Sequence, residues 1–221
     1  MNLRGYRLKR RVLNRIGPQV DLEKFWLQKG KKYYKGEAKR WPLLEVPEYL
    51  KNITFNSVLE FGCGTGTVTK LINDNFKTDE YVAFDISPLQ LMHAKENCEK
   101  HHNIDFHASP IQKFTTDKKF DLVIGTAMLS HIHPDDIFGV IQKLLSYSKK
   151  HLIHVDAEPF QPIWDNYNPK YTRAIHTYRH DWNQIYRDIN LNTKISLNVQ
   201  PFLEFTDRKK QMLSLFHITK L

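Results

Sequence analysis

A glycine turn set between a strand and a helix constrains this chain more than any other stretch. Val58-Leu59-Glu60-Phe61 reads as a buried strand, Gly62-Cys63-Gly64-Thr65-Gly66 as a tight turn, and Thr67-Val68 as the opening of a helix. Three glycines in five residues let the main chain take angles that side chains resist, and they let a ligand come close to the backbone. Strand, turn and helix in that order form the first unit of a doubly wound α/β sheet. Ligands of such sheets bind in the crevice outside the carboxyl ends of the strands.

The rest of the chain after Asn52 fits that architecture. Short β-rich runs at 57–61, 81–85, 104–107, 120–125, 151–156, 194–199 and 211–219 predict seven strands, and helices are expected at 66–76, 88–100, 134–147 and 180–190. Alternation of the two through the first five strands predicts a Rossmann-like parallel sheet covered on both faces. A span of 221 residues suits one such core plus an appendage.

The appendage is marked by charge. Residues 1–51 hold fourteen Lys or Arg against five Asp or Glu, while residues 52–221 hold nineteen of each, so the whole net charge of +9 sits in the first part of the chain. Leu8, Val12, Leu13 and Ile16 recur at helical spacing among six basic residues, Gly17-Pro18 interrupts, and Leu22, Phe25, Trp26, Lys29 and Tyr33 suggest a second helix, with Pro42 and Pro47 marking a linker. The boundary is therefore placed between a basic helical extension, 1–51, and a catalytic domain, 52–221. The extension reads as a lid or docking element, or as a solvated basic face; an anionic acceptor such as a phosphorylated metabolite, RNA or a membrane surface is the partner its charge would suit. No apolar run reaches the roughly 20 residues of a transmembrane helix. Two cysteines, Cys63 and Cys98, and no apolar leader lead to the expectation of a reducing cytoplasm.

Asp85 gives the turn its chemistry. It ends the next predicted strand nineteen residues after Gly66, where a carboxylate can accept both hydroxyls of a ribose. A dinucleotide fingerprint would need glycine at position 67, where Thr67 stands, so the G-x-G-x-G spacing favours a nucleoside without a pyrophosphate.

Glu60-Phe61-Gly62-Cys63-Gly64-Thr65-Gly66 resembles motif I of the class I S-adenosylmethionine-dependent methyltransferases, and Phe84-Asp85-Ile86-Ser87 resembles the acidic loop after their second strand. Phe120-Asp121-Leu122-Val123-Ile124 is similar to their fourth strand, and Ala127-Met128-Leu129-Ser130-His131-Ile132 to the loop that follows it in the small-molecule branch. The resemblance spans roughly residues 52–156. It implies a seven-stranded sheet with an antiparallel C-terminal strand and S-adenosyl-L-methionine as the cofactor. Gly62, Cys63, Gly64 and Gly66 would lie beside its methionine portion, Glu60 at its amino group and Asp85 at its ribose, with Ile86 and Thr126 in its surroundings. The family often carries an acidic residue after the third strand for the adenine; this chain has His107-Ala108-Ser109-Pro110, which leaves that contact to the Ser109 hydroxyl or to backbone.

Methyl transfer from a sulfonium is an in-line displacement in which alignment does most of the work, and a base is needed only when the acceptor holds a proton. His131, His133, Asp156 and His180 fall at the expected carboxyl edge of the sheet; His131 and His180 are the candidate catalytic residues, with His131 preferred. The other reading of His131 is that it packs or caps the helix starting near Pro134. His154 alternates with apolar strand residues and reads as a core histidine. The pairs His101-His102 and His131/His133 lack further ligands, so no metal is expected. Trp164, Tyr167, Tyr171, Tyr178 and Trp182, interleaved with arginines, are expected either in the acceptor pocket or in a packed cover. The Asn- or Asp-Pro-Pro-aromatic motif usual in methyltransferases of planar amino groups in bases or glutamine is absent after the fourth strand, as is the cysteine nucleophile of cytosine C5 methylation. A small polar acceptor is the preferred reading, with an RNA acceptor or a non-catalytic adaptor as the others.

Overall fold

The computed structural model describes residues 24, 26, 45–157, 178, 180–191, 193–204 and 212–221. The elements run α1 (Val46–Leu50), β1 (Ser57–Phe61), α2 (Thr67–Asn75), β2 (Glu80–Asp85), α3 (Pro88–Asn97), β3 (Ile104–Ala108), β4 (Phe120–Thr126), a 3-10 turn (Leu129–His131), α4 (Ile137–Tyr147), β5 (Ser148–Ala157), α5 (Trp182–Asn190), β6 (Ile195–Glu204) and β7 (Met212–Lys220). They build one seven-stranded sheet in the order β3-β2-β1-β4-β5-β7-β6. Strands β1 to β5 are mutually parallel, whereas β7 runs antiparallel to both β5 and β6. Strand order reverses between β1 and β4, and that switch point is where the crevice of a doubly wound sheet opens.

Two buried clusters lie on opposite faces. Leu59, Phe61, Phe84, Val123 and Leu152 pack under the apolar stripes of α4 and α5, while Val58, Tyr81, Ala83, Leu122 and Ile153 pack under α1, α2 and α3. Helix α4 buries Ile137, Val140, Ile141, Leu144 and Leu145, an i, i+3, i+4, i+7, i+8 stripe that only a helix can turn to one side. Each such side chain contributes about 1.5–3 kcal/mol on full burial. Helix α3 starts at Ser87, whose hydroxyl accepts the Gln90 N–H, with Pro88 in the first turn; α5 starts at Asp181, whose carboxylate accepts the Gln184 N–H at 3.0 Å.

All seven predicted strands and all four predicted helices of the core are present, with shifted ends. The helix expected from residue 134 begins at Ile137, because His133 and Pro134 are spent in a turn closed by the Asp136 N–H on the His133 carbonyl. Strand β5 begins at Ser148, directly after α4 and three residues before the expected start at 151. The linker around Pro42 and Pro47 contains an unforeseen helix, α1, since proline is tolerated in a first turn that has no donors to lose. Val46 and Leu50 of α1 are buried against Phe55, Ile72 and Leu215, so the end of the basic extension belongs to the core. The two predicted helices before it lie outside the described residues, apart from Lys24 and Trp26, both of which are helical. Among the described residues no helix is long and apolar enough to cross a membrane.

Candidate functional site

The glycine turn leaves β1 at the switch point with all three glycines at positive φ: Gly62 at 67°, Gly64 at 57° and Gly66 at 80°. That backbone is left-handed, which side chains resist and glycine does not. The reasons differ along the turn. A Cβ on Gly62 would stand 2.5 Å from Met128 Cγ, and one on Gly66 would stand 2.9 Å from Ala94 in α3. At Gly64 a Cβ would meet only the Gln90 side-chain oxygen, at 3.0 Å, so here the angle rather than crowding selects glycine.

Hydrogen bonds wire this turn to β2 and α3. The Phe84 carbonyl accepts the Gly62 and Cys63 N–H groups at 2.8 and 3.1 Å, and Asn97 donates to the Thr65 carbonyl at 2.8 Å. Asp85 completes the link: its Oδ2 accepts the Gly64 N–H at 3.0 Å and its Oδ1 accepts the Ser87 N–H at 2.8 Å. Burial pushes the Asp85 carboxyl above its ordinary range, and the hydrogen bonds from Ser87, Gly64 and Ile86 pull against that rise. A carboxylate offers about four acceptor sites, so Asp85 keeps accepting capacity for a ribose hydroxyl beside these N–H groups.

Glu60 lies on the α2 face of β1 and is almost wholly buried. Its Oε2 accepts from the Thr69 hydroxyl at 2.6 Å and the Tyr81 hydroxyl at 2.7 Å. Burial raises its carboxyl to about 7, against the pull of those two donors and with some help from the charge of Asp85. Cys63 is a buried thiol, pushed well up by burial first and by Glu60 and Asp85 next, so its side chain stays neutral while its backbone shapes the turn. Ile86 and Thr126 are half-buried at the ends of β2 and β4. The Ser109 N–H ties the end of β3 to the Asp85 carbonyl at 2.9 Å, and its hydroxyl donates to the Pro110 carbonyl at 3.1 Å.

The second wall of the crevice is the loop after β4. Ala127, its first residue, has φ 53°, uncommon for a residue with a Cβ, and its N–H donates to the Val155 carbonyl at 2.7 Å. His131 ends the 3-10 turn half-buried, with its ring edge-on to Trp26 at a centroid distance of 4.8 Å. Residue 26 of the basic extension therefore reaches the preferred base. His133 takes the helix-entry part that the alternative reading gave to His131: its Nδ1 accepts the Asp135 N–H at 3.2 Å.

His180 is fully buried, and its Nε2 lies 3.0 Å from the Leu129 carbonyl oxygen, which makes that nitrogen a donor. The structure thus places His180 under the loop as an anchor. Asp156, the candidate from β5, is also buried; its Oδ1 accepts the Ser130 N–H at 3.2 Å and its Oδ2 faces His154 Nδ1 at 3.0 Å. His154 is a core histidine as expected. Trp182 packs into the core, while Tyr178 touches His133 edge-on; Trp164, Tyr167 and Tyr171 lie outside the described residues. Among the described residues no group of three metal-ligating side chains occurs. Sequence reasoning missed Met128 and Gln90 beside the glycines, because no local pattern marks a residue that closes a turn from another element.

The geometry fits a nucleoside with an attached amino acid: a left-handed glycine cradle, a diol-accepting carboxylate and a buried acid at the root of the turn. Comparison with known proteins agrees. Residues 58–151 match the methyltransferase domain family. A malonyl-[acyl-carrier protein] O-methyltransferase of Ilyobacter polytropus is 32% identical over 97 residues, which is 42% of this chain and 35% of that protein. The protein of the same name from Acetivibrio thermocellus is 32% identical over 92 residues, 42% of this chain and 31% of that one. The chain thus spans about a third of the length of the curated relatives it matches. In fold it is similar to the N-methyltransferase NodS from Bradyrhizobium japonicum, solved with S-adenosyl-L-homocysteine, with a TM-score of 0.67 at 15% identity over 88% of this chain and 97% of the other. It is similar as well to the magnesium protoporphyrin IX methyltransferase of Synechocystis, with a TM-score of 0.62 at 16% identity over 97% and 91% of the two chains. Residues 58–151 are therefore similar to a methyltransferase domain, in a chain whose fold is that of the compared methyltransferases.

Proposed function

We propose that this protein transfers a methyl group from S-adenosyl-L-methionine to a small polar acceptor. The observation that carries the proposal is the Asp85 carboxylate, fixed by the Gly64 N–H at the mouth of a left-handed glycine turn and at the switch point of the sheet. Asp85 would hold the ribose, the backbone of Gly62 to Gly66 would lie along the methionine portion, and the second oxygen of Glu60 would meet the amino group. Ser109 and Ile86 would border the adenine, and Cys63 and Thr126 the sulfur side. The cofactor supplies an electrophilic methyl on a sulfonium, and the chain's part is to align an acceptor with it and keep water away.

His131 is the residue we assign to the acceptor's proton. Its loop borders the glycine turn through Met128 and is held from beneath by His180 and Asp156, neither of which is exposed enough to meet an acceptor. Trp26 covers the His131 ring, which supports the basic extension as a lid. The curated relatives bear a name that specifies O-methylation of a malonyl group, whose carboxylate would need no base. Their likeness covers 42% of the chain, and the family match covers residues 58–151, which include the glycine turn and Asp85.

Incubation with radiolabelled cofactor and a fractionated cell extract tests the proposal. Label in the small-molecule fraction, lost in Asp85→Ala, is the expected result. Label in RNA alone would move the acceptor class to nucleic acid, and no transfer to any fraction would leave a cofactor-fold adaptor.

A further inference from the structure

Beneath the loop that carries His131 lie three polar side chains that cofactor binding does not use. Asp156 Oδ2 stands 3.0 Å from His154 Nδ1, and His154 Nε2 stands 2.6 Å from the Tyr186 hydroxyl. All three residues are buried, His154 completely. His154 and Asp156 are two apart on β5 and so share a face, while Tyr186 comes from the buried stripe of α5. The imidazole stacks on Phe216 of β7, with centroids 4.6 Å apart and planes 8° apart, and lies 4.6 Å from the Trp182 ring. Polar groups so deep cost free energy unless each donor finds an acceptor.

Proton accounting selects one arrangement. With the ring proton on Nδ1, His154 donates to the Asp156 carboxylate, and Nε2 accepts the Tyr186 O–H; each donor has one acceptor. With the proton on Nε2, the ring and the tyrosine both offer a hydrogen to the same 2.6 Å contact. Among the described residues the Tyr186 hydroxyl has no other acceptor to turn to. The first arrangement also leaves Asp156 Oδ1 committed to the Ser130 N–H.

We propose that Tyr186, His154 and Asp156 form a buried positioning array, with the imidazole proton on Nδ1, that fixes the loop 129–131 and thereby aims His131 at the acceptor. The array reaches the loop through Asp156, and two further contacts complete its register: His180 donates to the Leu129 carbonyl and the Tyr178 N–H donates to the Ser130 carbonyl at 2.6 Å. These residues touch neither cofactor nor acceptor. They act through Ser130, one residue before His131, so a change in the array displaces the base and leaves the glycine turn alone. The functional half of the inference rests on His131 facing the acceptor; the array itself does not.

The histidine ring nitrogens of the full chain, labelled with nitrogen-15, report the tautomer directly by NMR. Wild-type protein should show His154 protonated on Nδ1, and a proton on Nε2 alone would overturn the proposal without any variant. In Asp156→Asn the side-chain amide offers a donor to Nδ1, so the ring proton should move to Nε2; in Tyr186→Phe it should stay on Nδ1. Amide hydrogen exchange then reads the positioning. His154→Phe should speed exchange at Ser130 by about tenfold, the loss of roughly one hydrogen bond, with Gly64 unchanged. Unchanged Ser130 exchange in that folded variant, or equal acceleration at Gly64, would overturn the array's role. S-adenosyl-L-homocysteine affinity, measured on the same samples, separates this result from the functional reading: an array that behaves as described in a protein that does not bind the nucleoside refutes the methyltransferase reading alone.

Discussion

Glu60 is a carboxyl group at the root of the glycine turn with two hydroxyl donors on one oxygen and almost no contact with water. Its carboxyl titrates near 7 instead of 4.5, because burial outweighs the Thr69 and Tyr81 hydrogen bonds. A raised folded-state value means that this group favours the folded protein below about pH 4.5, and that the contribution is lost as pH rises through about 7. Binding a cationic amino group needs the ionised form. Cofactor affinity should therefore rise about tenfold between pH 6 and pH 8, and Glu60→Gln should flatten that rise; calorimetric titrations at the two pH values check it. The motif pointed to Glu60, Gly62, Gly64 and Asp85 because their chemistry is local to a turn and a strand end. It could not show that His180 and Asp156 are buried, since that depends on which long-range carbonyls and N–H groups they meet. His131 and His180 look alike in sequence, and only the Leu129 carbonyl separates an anchor from a candidate base.

At the scale of elements, the crevice depends on how closely β1 and β4 approach. Gly125 in β4 faces the Phe61 ring so tightly that a Cβ would lie 2.1 Å from Phe61 Cε2. Phe61 is the last residue of β1 and leads into the glycine turn, so this contact sets both the packing and the start of the site. Gly125→Ala should cost about 1–3 kcal/mol through overpacking. Chemical denaturation should show a lower midpoint with an unchanged slope, and a midpoint equal to wild type would contradict this account. A glycine inside a predicted strand is a legible sign of close approach, although its partner is not. Strand β5 shows the same limit. The alternation of His154 and Asp156 put both on one face, but Tyr186, thirty-two residues on, is joined to them only by the fold. Helix α1 escaped notice because Pro47 reads as an interruption until its place in a first turn is known.

At the scale of the whole molecule, charge and chemistry are separated along the chain. The excess of nine positive charges precedes residue 52, whereas every proposed cofactor residue lies between Glu60 and Thr126. Among the described residues the buried clusters begin at Val46, and Trp26 of the extension meets the His131 ring. Removal of residues 1–20 should leave the domain folded and cofactor affinity within about twofold, while weakening an anionic acceptor more at low salt than at high salt. Thermal melting and calorimetry on the truncated chain check the first half, and label transfer at two salt concentrations the second. The central claim is that Asp85 and the glycine turn hold S-adenosyl-L-methionine, and calorimetry of S-adenosyl-L-homocysteine binding to wild type and Asp85→Ala tests it most directly. The account predicts saturable one-to-one binding to the wild type and at least about a hundredfold weaker binding to the folded variant, the loss of two charge-assisted hydrogen bonds; equal affinity for the two proteins, or preference for a nicotinamide dinucleotide, would contradict it.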